Sequence, residues 1–353
     1  MKKIILTGGG TAGHVTPNIA LLPFLQADGY EVHYIGSKEG LERGLIEPYG
    51  IPYHCISAGK LRRYADVKNI TDIFKILRGF GGAFGIIRRL KPDILFSKGG
   101  FVSVPAVAAA RMLGVKCVVH ESDITPGLAN RLSQPFASKI CASFPETLTH
   151  LPEHKGVLTG TPIRQELLQG DNEKGIRFLE WRAEGKPIIM AMGGSQGSVM
   201  INNCVRAALP ELLQRFRVIH LCGKGNLSGQ KKPGYAEFEY MGSELADLYA
   251  LADIVVSRAG ANTLFELLAI RKPNLLIPLD AGSRGDQKAN AESFALQGFS
   301  KILPEKALNP ERLLKDVQLL YNERDNFIRN MSSHKQGDGA AEVMDVLRKL
   351  TPD

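Results

Sequence analysis

Two short passages of this chain read alike although they lie far apart: PDILFSKGG at positions 92–100 and ADIVVSRAG at positions 252–260. Each runs from an apolar strand into a turn of small residues and then into a helix. The likeness continues upstream, where the strand at 3–6 breaks into the glycines of 8–13 and the strand at 187–192 breaks into Gly193, Gly194 and Gly197. A helix from about Pro17 and a second strand at 31–35 complete a parallel β-α-β unit in the first half. Two copies of one plan predict an α/β chain of two Rossmann-like domains facing each other across a cleft, with ligands at the carboxyl ends of the strands. A length of 353 residues fits, because a single hydrophobic core stops growing near about 250 residues.

The domains are expected at 1–162 and 163–339, with the crossover near Gly160-Thr161-Pro162 and a last helix, 340–353, that returns to the first domain. The two copies differ in length: Gly8 to Ser97 spans 89 residues and Gly193 to Ser257 spans 64, a surplus of 25 in the first half. The surplus includes or adjoins the strongest charge feature. Positions 60–91 hold nine Lys or Arg and two Asp, so nine minus two leaves +7 there, against a formal net charge of +8 for the chain. Nucleic acid, a membrane surface and an anionic substrate all suit a basic protein; location decides between them, the charge is a patch and not a general property, and no nucleic-acid partner is expected.

Within the same segment Ile70, Ile73, Phe74, Leu77, Phe80, Phe84 and Ile87 share one helical face, with Gly79, Gly81, Gly82 and Gly85 expected to loosen the helix. A crossover helix packed on its sheet explains that stripe as well as a lipid-facing surface does. The clustered charge and the extra length favour anionic lipid, with Phe74, Leu77, Phe80, Phe84, Arg88 and Arg89 as contacts. Elsewhere no uncharged apolar run approaches the ~18 residues of a membrane span, and the first apolar stretch is too short for a secretory signal. Cys55, Cys117, Cys141, Cys204 and Cys222 are odd in number and form no C-x-x-C pair, so they are expected as buried thiols in a reducing cytosol, with no zinc site.

The turn Thr7-Gly8-Gly9-Gly10-Thr11-Ala12-Gly13-His14 lets backbone N–H groups approach a phosphate or sugar beside a helix N-terminus, and is equally a tight turn needing glycine. An NAD site is disfavoured because the second strand ends Tyr34-Ile35-Gly36-Ser37, with no carboxylate for a ribose. His14 stands just before Thr16-Pro17, an expected N-cap and first helical position, and reads as a neutral general base or as a solvated loop histidine. Thr263-Leu264-Phe265-Glu266 has capping-box spacing, yet Glu266 could instead accept ribose hydroxyls. Arg164 near the crossover suits a diphosphate or is a surface arginine. Gln287 and Asn290 supply amides that read sugar hydroxyls or belong to a polar loop.

These motifs resemble the MurG family, the peptidoglycan N-acetylglucosaminyltransferases of the GT-B fold. The resemblance covers essentially the whole chain and rests on GGGTAGH at 8–14, HESD at 120–123 with PGLAN at 126–130, GGSQG at 193–197, Arg258-Ala259-Gly260 with Thr263 and Glu266, and Asp286-Gln287 with Asn290. It implies inverting transfer of N-acetylglucosamine from UDP-N-acetylglucosamine to the C4 hydroxyl of undecaprenyl-diphospho-N-acetylmuramoyl-pentapeptide, lipid I, giving lipid II and UDP. No cofactor or metal is implied. By position, Thr11, Ala12 and Gly13 would lie by the sugar and diphosphate, Arg164 and Ser195 by the uridine or diphosphate, and Ala261, Asn262 and Thr263 at the phosphates. Glu266 would hold the ribose, Gln287 the N-acetylglucosamine, and His14 would be the base, with Gln196 and Asn290 also among the substrate-binding residues. Asp123 stands where an asparagine often contacts the sugar, and Asp286 where a glutamine precedes Gln287. A peripheral place on the cytoplasmic face of the cell membrane, with wall-synthesis or division proteins as partners, is implied too. The rival readings are a UDP-N-acetylglucosamine epimerase on the same fold and a non-enzymatic nucleotide- or lipid-binding module.

Overall fold

The computed structural model describes residues 2–59, 68–182, 185–194, 196–280, 285–334 and 337–351, with side chains between 68 and 73 excepted. Two compact units divide the chain, 1–164 with 336–353 and 165–335. The first contains β1 (Lys3–Thr7), α1 (Thr16–Ala27), β2 (Glu31–Ser37), α2 (Leu41–Ile46), β3 (Tyr53–Ile56), α3 (Lys68–Leu90), β4 (Ile94–Ser97), α4 (Ser103–Met112), β5 (Lys116–Glu121), α5 (Leu128–Ser133), β6 (Lys139–Ala142) and β7 (Gly156–Leu158). The second contains α6 (Asn172–Phe178), β8 (Ile188–Met192), α7 (Val199–Arg215), β9 (Arg217–Leu221), β10 (Tyr235–Phe238), α8 (Leu245–Leu251), β11 (Ile254–Ser257), α9 (Ala261–Ala269), β12 (Asn274–Leu276), α10 (Asp286–Leu296), β13 (Ser300–Ile302), α11 (Pro310–Asn322) and α12 (Arg324–Ser333), after which α13 (Gly339–Leu350) belongs to the first unit again.

Both sheets are parallel, in the orders β3-β2-β1-β4-β5-β6-β7 and β10-β9-β8-β11-β12-β13. Parallel sheets need cover on both faces, which is why their central strands are apolar without alternation. In β1, Ile4 and Leu6 join the cluster under α1 and α13 while Ile5 joins the one under α3 and α4. Strand order reverses at β1/β4 and again at β8/β11, so each unit has a crevice where the connections leave in opposite directions. The glycine turns at 8–13 and 193–197 follow the first strand of each pair, and Lys98-Gly99-Gly100 and Arg258-Ala259-Gly260 follow the second.

The extra length of the first half is largely α3, 23 residues where the matching crossover α8 has seven. Its glycines do not interrupt it, and at Gly79 a Cβ would collide with the Ser57 carbonyl, so one of them is needed for close packing on β3's exit. The apolar stripe is divided along the helix. Ala83 and Ile87 are buried and Phe80 and Phe84 lie half-buried against the core, whereas Phe74 and Leu77 are 69% and 62% exposed. Phe80 and Phe84 are therefore packing residues, which corrects their assignment as lipid contacts. Arg88 and Arg89 are exposed; Lys60, Arg62 and Arg63 fall outside the described residues. Four cysteines are buried, but Cys55 is exposed, against expectation, because it lies in β3, an edge strand of its sheet.

The terminal α13 presents Val343, Met344 and Leu347, all fully buried, to α1. Arg348 also binds Asp28 through Nε (2.6 Å) and a second nitrogen (3.1 Å), which holds the Asp28 carboxyl below its usual range. That pair is half-exposed, and such pairs contribute about 0–1 kcal/mol. A buried leucine truncated to alanine costs ~2–5 kcal/mol. Leu347→Ala should accordingly lower the unfolding free energy of the first unit by ~2–5 kcal/mol, far more than Arg348→Ala, read as a lower urea midpoint at unchanged slope, with the unfolding of the second unit unchanged in the same titration.

Candidate functional site

Backbone meets backbone at the switch point of the first unit. Gly9 N–H donates to Gly99 C=O at 3.3 Å, and a Cβ on Gly100 would collide with the Gly9 carbonyl. Gly10, at φ +86°, lies so close to the Phe101 ring that a Cβ would stand 2.8 Å from it. The turn is held from below by polar groups: the Tyr34 hydroxyl donates to Gly8 C=O (2.7 Å), the Asn18 amide to Thr7 C=O (3.3 Å), and the Gly10 N–H to the Glu42 carboxylate (3.3 Å). Burial, chiefly, keeps the Tyr34 phenol neutral well above its usual range. The sequence placed no carboxylate at the end of β2, yet α2 brings Glu42 back onto Ser37, whose N–H (2.9 Å) and hydroxyl (2.5 Å) it accepts.

His14 ends a short 3-10 turn over Ala12–His14 and is half-buried. Its Nδ1 lies 3.0 Å from Gly9 C=O and 3.1 Å from Thr11 Oγ1. A carbonyl oxygen only accepts, so Nδ1 carries the proton and the basic lone pair is on Nε2. Thr16 is not an N-cap: its hydroxyl donates to Ala12 C=O, and α1 starts at Thr16 itself behind Val15. Thr11 is exposed, with Ala12 and Gly13 half-buried, beside it.

One residue past β4, Lys98 is buried (1% exposed) and its ammonium donates to His120 Nδ1 (2.7 Å) and to Ser122 Oγ. Burial pulls its pKa down to about 8 while Glu121 and Asp123 oppose the fall. His120 gives its Nε2 proton to Gly160 C=O (2.8 Å), and burial keeps it neutral. Burial raises the Glu121 carboxyl; its oxygens accept from the Asp123 N–H (3.0 Å), the Gly127 N–H (2.9 Å) and the Asn130 amide (2.8 Å). Glu121 thus fixes the backbone that carries Asp123. Arg164 is half-buried at the end of the first unit's main segment.

In the second unit a Cβ on Gly197 would strike the Cys222 carbonyl, so the turn after β8 lies flat against the end of β9. Gln196 is exposed there; Ser195 falls outside the described residues. Arg258, 8% exposed, donates to Ile277 C=O (3.1 Å) and Ser198 Oγ (2.8 Å) and pairs with Glu305 at 2.5 Å. It ties together the ends of β11 and β12 and the N-cap of α7. The expected capping box is not formed. Gly260 precedes the first residue of α9, so Thr263 is third and Glu266 sixth in the helix, too far along for a box. Ala261, buried, and Asn262 and Thr263, half-buried, instead form the first turn, at the positive end of the helix dipole. Gln287 accepts the Leu279 N–H at 3.1 Å through Oε1, and Asn290 is fully buried with its amide on Ala259 C=O (3.4 Å). Those two side chains hold the strand-end turns in shape, and Asn290 presents no surface to a sugar.

Sequence reading missed one cluster at the ends of β9 and β10, where His220, Cys222 and Glu237 bring metal-ligating atoms within 4.8 Å of one another. The arrangement is already filled. Arg206 donates to Cys222 Sγ (3.3 Å) and pairs with Glu237 (3.1 Å), while both His220 nitrogens bond to Tyr235 (3.0 Å) and Asn202 (3.1 Å). A cation there would meet a guanidinium, so the cluster reads as a structural network.

Turns of this kind at two switch points, one carrying a histidine with a fixed tautomer and the other a helix N-terminus, define a two-domain nucleotide-sugar glycosyltransferase of the GT-B fold. The chain belongs to glycosyltransferase family 28: residues 4–142 match the model of its N-terminal domain and residues 188–347 that of its C-terminal domain. It is 54% identical over 353 residues, 99% of each chain, to the UDP-N-acetylglucosamine--N-acetylmuramyl-(pentapeptide) pyrophosphoryl-undecaprenol N-acetylglucosamine transferase of Lachnoclostridium phytofermentans, and 53% identical over 350 residues, 98% of each, to that of Clostridium perfringens. Among solved structures, Acinetobacter baumannii MurG matches with a TM-score of 0.77 at 25% identity, covering 99% of this chain and 100% of that one.

The Arg206 network makes a pH prediction. Burial alone would raise the Glu237 carboxyl, but the Ser228 hydroxyl and N–H, Arg206 and Tyr235 hold it down at about 2. A depressed carboxylate contributes stability above its unfolded pKa and loses it as pH falls through the folded one. The stability gap between the parent and Glu237→Gln should be constant above about pH 5 and close between about pH 4.5 and 2, read by denaturant titration at each pH.

Proposed function

We propose that this chain transfers N-acetylglucosamine from UDP-N-acetylglucosamine to the C4 hydroxyl of lipid I, giving lipid II and UDP in peptidoglycan synthesis. The observation that carries this is end-to-end identity of 54% and 53% to relatives bearing that name, with both family domains matched. In this reading His14 Nε2 takes the C4 hydroxyl proton as the oxygen attacks the anomeric carbon, and the bond from that carbon to the β-phosphate oxygen breaks, its electrons leaving with UDP. One displacement inverts the anomeric centre. The N-terminus of α9 favours the charge on the departing diphosphate, and Glu266, further along the same helix, holds the ribose.

Incubation of the protein with labelled donor and lipid I should yield disaccharide lipid and UDP together; UDP binding without turnover, or epimerised donor, would reject the reading. His14→Ala should lower kcat by about 10²–10⁴ with donor binding kept. Glu266→Gln should weaken UDP affinity more than it lowers the melting temperature, with the two measured side by side.

The lipid acceptor calls for a membrane surface, and we assign it to the first half of α3, a peripheral contact on the cytoplasmic leaflet. Among the described residues no helix is long and apolar enough to cross a membrane. Phe74 and Leu77 are exposed, with the exposed Lys75 and Arg78 next to them in sequence and Arg88 and Arg89 at the far end of the helix, and basic residues near an anionic surface contribute about 1 kcal/mol each. Phe74→Ser with Leu77→Ser should reduce binding to phosphatidylglycerol vesicles at least about tenfold with an unchanged melting temperature, because neither side chain is in the core. Unaltered sedimentation with vesicles would move the membrane surface elsewhere.

A further inference from the structure

Glu42 is buried to 1% exposure, and the displacement just described makes no use of it. An ionised carboxylate in such a place is costly unless its oxygens are hydrogen-bonded. Oε1 accepts from Ser37; Oε2 accepts the Gly10 N–H at 3.3 Å. That N–H belongs to the same peptide group as the Gly9 carbonyl, which accepts from His14 Nδ1 at 3.0 Å. One peptide plane therefore joins the carboxylate to the imidazole. We propose that Glu42 is a positioning residue for His14, holding and polarising the Gly9–Gly10 peptide so that the neutral imidazole keeps its proton on Nδ1 and its lone pair on Nε2. The inference rests on His14 being the base.

Two physical effects run in the same direction. Hydrogen bonds at the two ends of a peptide strengthen each other, because N–H and C=O polarise together. The carboxylate charge also favours the imidazolium that forms when the hydroxyl proton arrives, the service an aspartate gives the histidine of a serine hydrolase, here relayed through backbone. The contact is close: a Cβ on Gly9 would stand 2.7 to 2.9 Å from the Glu42 carboxyl atoms, so the turn lies directly on them. The titratable groups facing Glu42 are Tyr34 from β2 and Tyr53 from β3, both pushed well above the usual phenol range, by burial first and by Glu42 after it. On α2 itself Arg43 is engaged with Glu47 at 2.7 Å.

Removing the carboxylate charge lowers the pKa of the imidazole. Glu42→Gln, which keeps the size of the side chain, should shift the acid limb of the kcat profile to lower pH and reduce plateau kcat about tenfold, with donor KM unchanged. In a His14→Ala background the same substitution should do nothing more to kcat, because the two act as one unit. Nitrogen NMR of the 15N-histidine-labelled parent needs no variant and should find the Nδ1–H tautomer at His14. A parental acid limb and kcat in Glu42→Gln, a further loss in the double variant, or an Nε2–H tautomer would overturn the proposal. Normal turnover in His14→Ala alone would instead remove the base, and the inference with it, while disaccharide formation by the parent tests the reaction separately.

Discussion

Everything near the two switch points depends on backbone lying directly on backbone. Gly100 against Gly9 and Gly197 against Cys222 leave no volume for even a methyl group. Such contact brings peptide N–H and C=O groups, not side chains, to the carboxyl ends of the strands, where a helix N-terminus already favours negative charge. It also strands polar backbone in the interior, and the chain answers with buried side chains that complete the hydrogen bonding: Tyr34, Asn18 and Glu42 beneath the first turn, Arg258 beneath the second.

The repeat carries a charge relationship as well as a shape. Lys98 and Arg258 occupy matching positions, one residue beyond the central strand of each unit, and both are buried cations spent on internal contacts. Their partners differ. Lys98 leans on a neutral histidine and a serine near two carboxylates, so burial lowers its pKa, whereas Arg258 forms a direct ion pair with Glu305. Removing either partner of the Arg258–Glu305 pair costs about 3–5 kcal/mol, far more than an exposed pair contributes, which makes Arg258 part of the framework.

A single helix accounts for most of what distinguishes the first half from the second. Its carboxyl-terminal part is ordinary crossover packing, with Ile87 and Ala83 in the core. Toward its amino-terminal part the same periodicity continues past the edge of that core, and Phe74 and Leu77 face solvent. The stripe is thus neither wholly core nor wholly surface, and periodicity cannot mark the point where one becomes the other.

The sequence by itself determined the two-fold plan, the parallel sheets, the turns at their ends and the family, because apolar strands, glycine punctuation and ordered motifs are local signals. Sites built from residues adjacent in sequence, such as the 8–14 turn, were legible for that reason. Tertiary structure alone decided which polar side chains those turns rest on. Glu42 lies five residues beyond β2 and reaches the first turn only because α2 folds back, and Glu305 meets Arg258 across two strands. The capping box at Thr263 failed on a finer point, since its spacing was right while the helix began two residues before it. Asn290 likewise looked available for a sugar in sequence and is buried in the fold. Apart from that helix start, these outcomes turn on distance through space between segments far apart in the chain, a quantity set by packing and absent from any local pattern of residues.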